Sequence, residues 1–373
     1  MNVPILDLGR TRRRIAAQLD ERWGRILDET SFVLGPEVRE FEGAFASYLE
    51  VAACVGLGNG TDALVLALRA LGLKAGDEVI VPAFSFFATA EAVALLGGKV
   101  VFADVDPETL NLDPADAAAR VTSRTVGILG VHLYGRPFDV DALLALCGKH
   151  GLWLVEDAAQ AHGARWKGTR VGGFGQLAAW SFYPTKNLGC FGDGGAATGN
   201  DRELVERVRT LGNQGQSSRY HHVAVGTNSR LDSLQAAVLN CRLPLLDGDN
   251  ARRGEIACRY HGAFADIVGV GDLRLLPDRP EVVSVYHQFT VRTARRDELM
   301  AHLKAAGIAS AIHYPSPLHH QPALAGLVDV RDGDLPVASA AGQEVLCLPV
   351  FPELTNEELD AVATAVRSFF GVA

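Results

Sequence analysis

A lysine in a turn at the end of an apolar run stands out in this sequence as a group suited to covalent chemistry. Ser181-Phe182-Tyr183-Pro184-Thr185-Lys186-Asn187-Leu188-Gly189 closes the run that begins near Leu177 and leads into Gly192-Asp193-Gly194-Gly195. The run reads as a buried strand and Pro184 and Gly189 as turn residues, so Lys186 between them would be partly desolvated. Desolvation lowers the pKa of an amine and exposes its lone pair. Lysine is also the residue that forms Schiff bases with carbonyl compounds. Taken alone, a lysine between Pro and Gly is more often an exposed loop residue, and the residues upstream decide between the two.

Two upstream stretches matter. Leu154-Val155-Glu156-Asp157-Ala158-Ala159-Gln160-Ala161-His162-Gly163 places an acid at the C-terminal end of a buried strand, where ligands sit in open α/β sheets. A carboxylate there can pair with a protonated pyridine nitrogen and keep the ring an electron sink. For Asp157 alone helix capping is the simpler role, and His162 alone could be a satisfied core histidine. Gly58-Asn59-Gly60-Thr61-Asp62 lies between a strand and a helix, where free backbone N–H groups and the helix dipole suit an anion. Its glycines are not spaced as G-x-G-x-x-G, and no acid follows the next strand to hold a ribose.

The elements that must position these groups alternate along the chain. A short extended segment, Val3 to Leu8, precedes helical patterns over Arg12–Asp28 and Glu37–Leu49. Strands are expected at Ala53–Leu57, Val79–Val81, Val100–Phe102, Val126–Gly130, Leu152–Val155 and Ala178–Phe182, with a helix over Thr61–Leu71. This is the pattern of βαβ units and a mostly parallel sheet covered by helices, an α/β fold. Gly212–Ser229 is a polar loop too long to be inert. Leu231–Leu246 reads as a helix. From about Asn250 a smaller α+β portion is expected, with strands near Tyr286–Arg292, Ala309–His313 and Glu344–Leu348 and helices near Arg296–Ala306 and Asn356–Phe370. The domains are thus 1–249 and 250–373.

Composition narrows the function classes. The 373 residues carry a formal charge of -9 with dispersed lysines and arginines, which argues against nucleic acid. Six cysteines without a C-x-x-C pair suit a reducing compartment, so the cytoplasm is expected. No signal peptide or membrane-spanning run is apparent. The pairs His221-His222 and His319-His320 have no carboxylate or cysteine at ligand spacing, so no metal is expected.

The ordered set of turn, strand-end Asp157, Ser181 and Lys186 resembles the DegT/DnrJ/EryC1/StrS family of sugar aminotransferases, within fold-type I pyridoxal-phosphate enzymes. The resemblance runs essentially the whole length, through Gly58 to Leu64, Glu156 to Gly163, Ser181 to Asn187 and Gly226-Thr227-Asn228-Ser229-Arg230-Leu231. It implies pyridoxal 5'-phosphate held covalently by Lys186, with pyridoxamine phosphate as the intermediate form. Gly60, Thr61 and Ser181 would hold the phosphate and Asn228 would reach it from a neighbouring subunit, which implies a homodimer. Asp157 would face the ring nitrogen, Gln160 the ring hydroxyl, and Phe86 the ring face; Phe84 and Phe87 flank Phe86 and could be confused with it.

The resemblance further implies glutamate as donor, 2-oxoglutarate as its product and a keto-sugar nucleotide as acceptor. Val131-His132-Leu133-Tyr134-Gly135 and Ile312-His313-Tyr314-Pro315 look most like the branch that aminates C-3 of dTDP-linked 3-keto-6-deoxyhexoses. His162, Tyr183, Arg219, Arg230, His313 and Tyr314 are candidate substrate contacts; each could instead be a surface, core or interface residue. The alternatives are C-4 amination of a 4-keto sugar and a non-catalytic regulatory or binding protein of the same fold. The second should have lost Asp157 or Lys186. Family members that act as dehydratases carry histidine where this chain has Lys186.

Overall fold

Apolar runs make the strands of the main sheet. In this computed structural model, which describes residues 2–268, 272–326, 328 and 332–372, their order across the sheet is Ala53–Leu57, Gly195–Gly199, Leu177–Ser181, Trp153–Asp157, Thr125–Val131, Glu78–Pro82 and Lys99–Ala103. The last five are mutually parallel, and Gly195–Gly199 runs antiparallel to both neighbours. A strand covered on both faces is apolar along its length. Accordingly Ile80, Ile128, Leu129, Leu154, Val155 and Leu177 are all fully buried. Asp157 and Ser181, at adjacent strand ends, emerge on the same edge of the sheet.

Helices cover both faces. Leu64, Leu68, Val79 and Phe102 belong to the core on one side, and Phe41, Phe45, Trp180 and Phe182 to that on the other. Phe45 meets Trp180 and Phe182 edge-on, with ring centroids 5.1 and 5.6 Å apart, an arrangement the ring quadrupoles favour. This cluster anchors the strand that leads to Lys186. The expected N-terminal helices form as Leu8–Glu29, Pro36–Leu49 and Gly60–Ala70. The first begins earlier than its apolar pattern because Asp7 accepts from the Gly9 and Arg10 amides.

The C-terminal part has the antiparallel strands Arg274–Leu275, Phe289–Arg292 and Val345–Leu348, with helices Arg296–Ala305 and Asn356–Phe369. Thr355 and Glu358 close a capping box on the last helix. The expected Leu231–Leu246 helix does not run through. Pro244 has no N–H to donate, and Ser233–Arg242 gives way to a 3₁₀ turn, Leu243–Leu245, and then to a helix over Leu246–Phe264. The expected domain boundary at 249/250 falls inside that last helix. Val3, at the other end of the sequence, pairs with Ile308 and lies in the C-terminal core.

Two expected strands shrink. Tyr286 takes a positive φ of 43°, so only Phe289–Arg292 forms a ladder. Ala309–His313 contributes a single bridge, Ala311 to Cys347, and the His313 carbonyl is taken by the Tyr134 hydroxyl instead of a strand. The loop Gly212–Ser229 contains a short hairpin, Gln216–Ser218 against His221–His222. Among the described residues no helix is long and apolar enough to cross a membrane.

Candidate active site

Lys186 lies half-buried in a turn braced from several sides. Its amide donates to the Tyr183 carbonyl at 2.8 Å. Buried Arg242 donates to the carbonyls of Asn187 and Gly189, and the Asn187 amide donates to Val285 and Asn250 at 2.9 Å each. Burial pushes the Lys186 ammonium from 10.5 down to about 8, with the Asp157 charge opposing that shift. About a tenth of the amine is therefore free base near pH 7, far more than for an ordinary lysine. The effect is open to direct test. In protein stripped of small molecules, acylation of Lys186 should rise about tenfold per pH unit and level off near pH 8, whereas an ordinary lysine levels off near ~10.4. Asp157→Asn should move the midpoint lower, because the carboxylate that favours the ammonium is gone. Peptide-resolved mass spectrometry reads both, and a midpoint above about pH 10 would exclude the desolvated site.

Asp157 is 6 % exposed at the end of its strand. Its Oδ1 accepts from the Ala159 amide at 3.2 Å and its Oδ2 from the Thr89 hydroxyl at 3.0 Å. Burial raises its pKa, and these two hydrogen bonds with the Lys186 charge hold it back. The preceding residue, Glu156, points to the opposite side of the strand. It accepts from the amides of Gly172, Phe174 and Gly175 at 2.8 to 3.0 Å and pairs with His132 Nε2 at 3.1 Å. With Nδ1 of His132 accepting from the Phe138 amide, Nε2 carries the proton. Burial pushes Glu156 up, but the His132 contact and the amides outweigh it and leave its pKa below the ordinary value.

The glycine turn and Ser181 meet. A Cβ at Gly60 would stand 2.7 Å from the Ser181 Cβ, so only glycine permits this approach. Asn59 caps the helix by accepting from the Asp62 amide at 2.8 Å. The Gly60 and Thr61 amides, first in that helix, have no carbonyl one turn back. They and the Ser181 hydroxyl, brought side by side, are donors that could hold an anion. Ser229 steadies the turn from the far side, accepting from the Gly58 amide at 3.0 Å. Asn228, next to Ser229, is exposed.

Across from Lys186 the C-terminal part contributes His313 and Tyr314. Burial and then the Lys186 charge push His313 down to about 4. Gln160 is held at both ends, its oxygen accepting from the Tyr134 amide at 2.6 Å and its nitrogen donating to the Tyr314 hydroxyl at 3.1 Å. The Phe86 ring is 55 % exposed and 5.9 Å from that of Tyr314. Phe84, by contrast, is fully buried.

The other candidates lie elsewhere. His162 has no exposed surface and packs against Trp180 and Phe182. Burial and the Lys186 charge push it down to about 3. A side chain so enclosed packs beneath the strand that leads to Lys186. Tyr183 is half exposed. Arg219 lies at the tip of the hairpin over the Tyr220 ring. Arg230 donates to Asn213 at 3.1 Å and lines a 360 Å³ cleft with Arg39, Glu42 and Arg209 that includes neither Lys186 nor Asp157.

Sequence reasoning missed Thr89, Ser85, Asn187 and His287. His287 Nδ1 lies 3.1 Å from Asn187 Oδ1, and burial with the Lys186 charge drives its pKa well below the ordinary value. Among the described residues no cluster of three or more His, Cys, Asp or Glu could hold a metal ion.

The chain is 47% identical over 367 residues to the dTDP-3-amino-3,4,6-trideoxy-alpha-D-glucose transaminase of Streptomyces venezuelae, covering 98% of this chain and 96% of that one. It is 45% identical over 370 residues to a UDP-N-acetyl-3-dehydro-alpha-D-glucosamine 3-aminotransferase of Acidithiobacillus ferrooxidans, covering 98% and 97%. The crystal structure of S. venezuelae DesV in complex with a ketimine intermediate superposes with a TM-score of 0.96 at 46% identity, covering 100% of this chain and 99% of that one. The mostly parallel sheet with flanking helices is thus the fold-type I architecture. The DegT/DnrJ/EryC1/StrS aminotransferase family matches residues 13–367, and this chain belongs to it.

Proposed function

We propose that the protein is a pyridoxal-phosphate-dependent aminotransferase that moves the amino group of glutamate onto C-3 of a dTDP-linked 3-keto-6-deoxyhexose, giving a 3-amino-3,6-dideoxyhexose nucleotide. The observation that carries this reading is a desolvated Lys186, a buried Asp157 and the Gly60–Ser181 cradle on one edge of the sheet. These residues fit the cofactor. Lys186 suits its aldehyde, Asp157 its ring nitrogen, and Gly60, Thr61 and Ser181 its phosphate, while Gln160 and Phe86 suit the ring hydroxyl and ring face. When bound, the cofactor supplies an electron sink and, as pyridoxamine phosphate, carries the nitrogen between the two half-reactions.

The chain's own residues do the rest. Lys186 Nζ takes the proton from Cα of glutamate and, in the second half, delivers a proton to C-3 of the sugar. Asp157 keeps its negative charge against the ring nitrogen. Tyr314 and His313, from the C-terminal part, border the space in which the hexose sits. The relatives support C-3, because the two named above use different nucleotides and are both named for a nitrogen at C-3. For the phosphate, Asn228 of a second copy completes the cradle. Exposed Phe32, Val33 and Leu34, with Val223 and Val225 of the hairpin loop, supply apolar surface that a second copy would cover.

The test is turnover with glutamate and a panel of keto-sugar nucleotides, with the product structure determined. Amination at C-3 of the dTDP-linked 3-keto-6-deoxyhexose is expected. Conversion of the 4-keto isomer alone would reject the regiochemistry and leave the aminotransferase standing. His313→Ala should slow the sugar half-reaction by about tenfold to a hundredfold and spare the glutamate half, since lost near-attack geometry alone is that costly. Equal losses in both halves would remove His313 from the sugar site.

A further inference from the structure

The stretch Phe84-Ser85-Phe86-Phe87-Ala88-Thr89 carries two hydroxyls that the mechanism above does not use. Ser85 is 3 % exposed and Thr89 fully buried. Thr89 lies in the first turn of the helix Ala88–Leu95. A threonine there commonly turns its hydroxyl back onto the helix backbone. Here it donates to Asp157 Oδ2 at 3.0 Å, and Ser85 Oγ lies 2.9 Å from the same Thr89 oxygen. A hydroxyl has one proton. An ionised Asp157 can only accept, so the Thr89 proton is committed to it and Ser85 must be the donor to Thr89. The direction of the chain, Ser85 to Thr89 to Asp157, is thereby fixed.

We propose that Ser85 and Thr89 form a hydroxyl relay that positions the Asp157 carboxylate and keeps it ionised against the ring nitrogen of the cofactor, an inference that rests on the cofactor assignment above. Thr89 and the Ala159 amide occupy one lone pair on each carboxylate oxygen, which fixes the carboxylate plane and leaves the remaining lone pairs for the ring. Burial in an apolar core works in the other direction, toward protonation. The remaining titratable groups that act on Asp157 are Lys186 from the turn after Ser181 and His132 from the end of Thr125–Val131; Tyr314 from the C-terminal part senses the Asp157 charge in turn. Lys186 loses its positive charge when it acts as a base, and the relay is the contact that does not change. Both Thr89 and Ser85 are positioning residues, because neither touches the reacting atoms. They belong to the same segment as Phe86, so one stretch of chain sets both the cover of the ring and the charge at its nitrogen.

The test uses the full-length protein loaded with ring-¹⁵N cofactor, in wild type, Asp157→Asn, Thr89→Val and Thr89→Ser. The relay predicts a protonated ring nitrogen in wild type and Thr89→Ser, and a shift toward the unprotonated signal in Thr89→Val, smaller than in Asp157→Asn. The kcat of Thr89→Val should fall about tenfold to a hundredfold with KM for both substrates little changed, as expected for a lost hydrogen bond to a charged group. In the cofactor-free chain, ¹³C titration of the Asp157 carboxylate should show a midpoint about one pH unit higher in Thr89→Val, with Thr89→Ser restoring the wild-type value. Ser85→Ala should give the same changes at smaller size, and it takes the place of Thr89→Val if that variant does not fold. A ring nitrogen unchanged between Asp157→Asn and wild type would overturn the cofactor assignment, and the carboxylate titration would then decide the relay by itself. Identical ring signals and identical titrations in wild type and Thr89→Val would overturn the relay.

Discussion

Lys186→Ala should cost at least about a thousandfold in transfer, because the variant loses the proposed proton carrier of both half-reactions, which is also the proposed anchor of the cofactor. Its fold should be intact, since the turn is held by backbone and by Arg242 and Asn187 rather than by the lysine side chain. Borohydride reduction of the wild type should leave the cofactor fixed to Lys186 and to no other lysine, which peptide mapping would show. The same variant tests whether two copies share a site. Mixed with an Asn228→Ala chain, it should regain activity, because one site in each mixed dimer has both Lys186 and Asn228. Mixed dimers verified by mass and still inactive would remove Asn228 from the partner's phosphate, and a label on another lysine would remove Lys186 from the chemistry.

Asp157→Asn should retain the cofactor and lose about a hundredfold to a thousandfold in both half-reactions, the cost of removing a preorganised charge from a buried site. The amide has nearly the same shape but only one acceptor oxygen, so it keeps one of the contacts from Thr89 and Ala159 and loses the charge. Burial raises the Asp157 pKa in the structure, so the wild-type rate should fall on acidification at a pH above the ordinary carboxylate value of ~3.9 as the carboxylate is protonated. Asp157→Asn should lack that acid limb. Persistence of the limb in the variant would assign it to another group.

The sequence disclosed the two groups on which both predictions turn because Asp157 ends one strand buried on both faces and Lys186 closely follows another. Such strands are continuous apolar runs, so the polar residue that terminates one is conspicuous. Gly195–Gly199 escaped because Gly-Ala-Ala-Thr-Gly has little strand propensity. Its smallness is demanded by its neighbours, since a Cβ at Gly195 would fall 2.3 Å from the Asn59 carbonyl oxygen. Thr89 and Ser85 escaped because three phenylalanines in the same segment drew the reading toward ring stacking. His287 meets Asn187 across a hundred residues of sequence, and no local period announces such a contact. Ala309–His313 looked like a strand but is paired only at separate points, Ala309 with Val3 and Ala311 with Cys347, and no continuous ladder holds it extended. The surroundings of Lys186 contributed by His313 and Tyr314 were the least legible part, because they are set where the C-terminal part faces the sheet.

The C-terminal part is fastened to the sheet by far more than the chain that connects them. Val282–Val283 pairs with Arg165–Trp166, the Leu318 amide donates to the Ala83 carbonyl, and the Val337 and Ala338 amides donate to Asp104. Gln160 with Tyr314 and Tyr134 with His313 lie on the same seam. A seam stitched along its length has no free axis of rotation, so any change of room beside Lys186 comes from side chains and short loops rather than from swinging one part against the other.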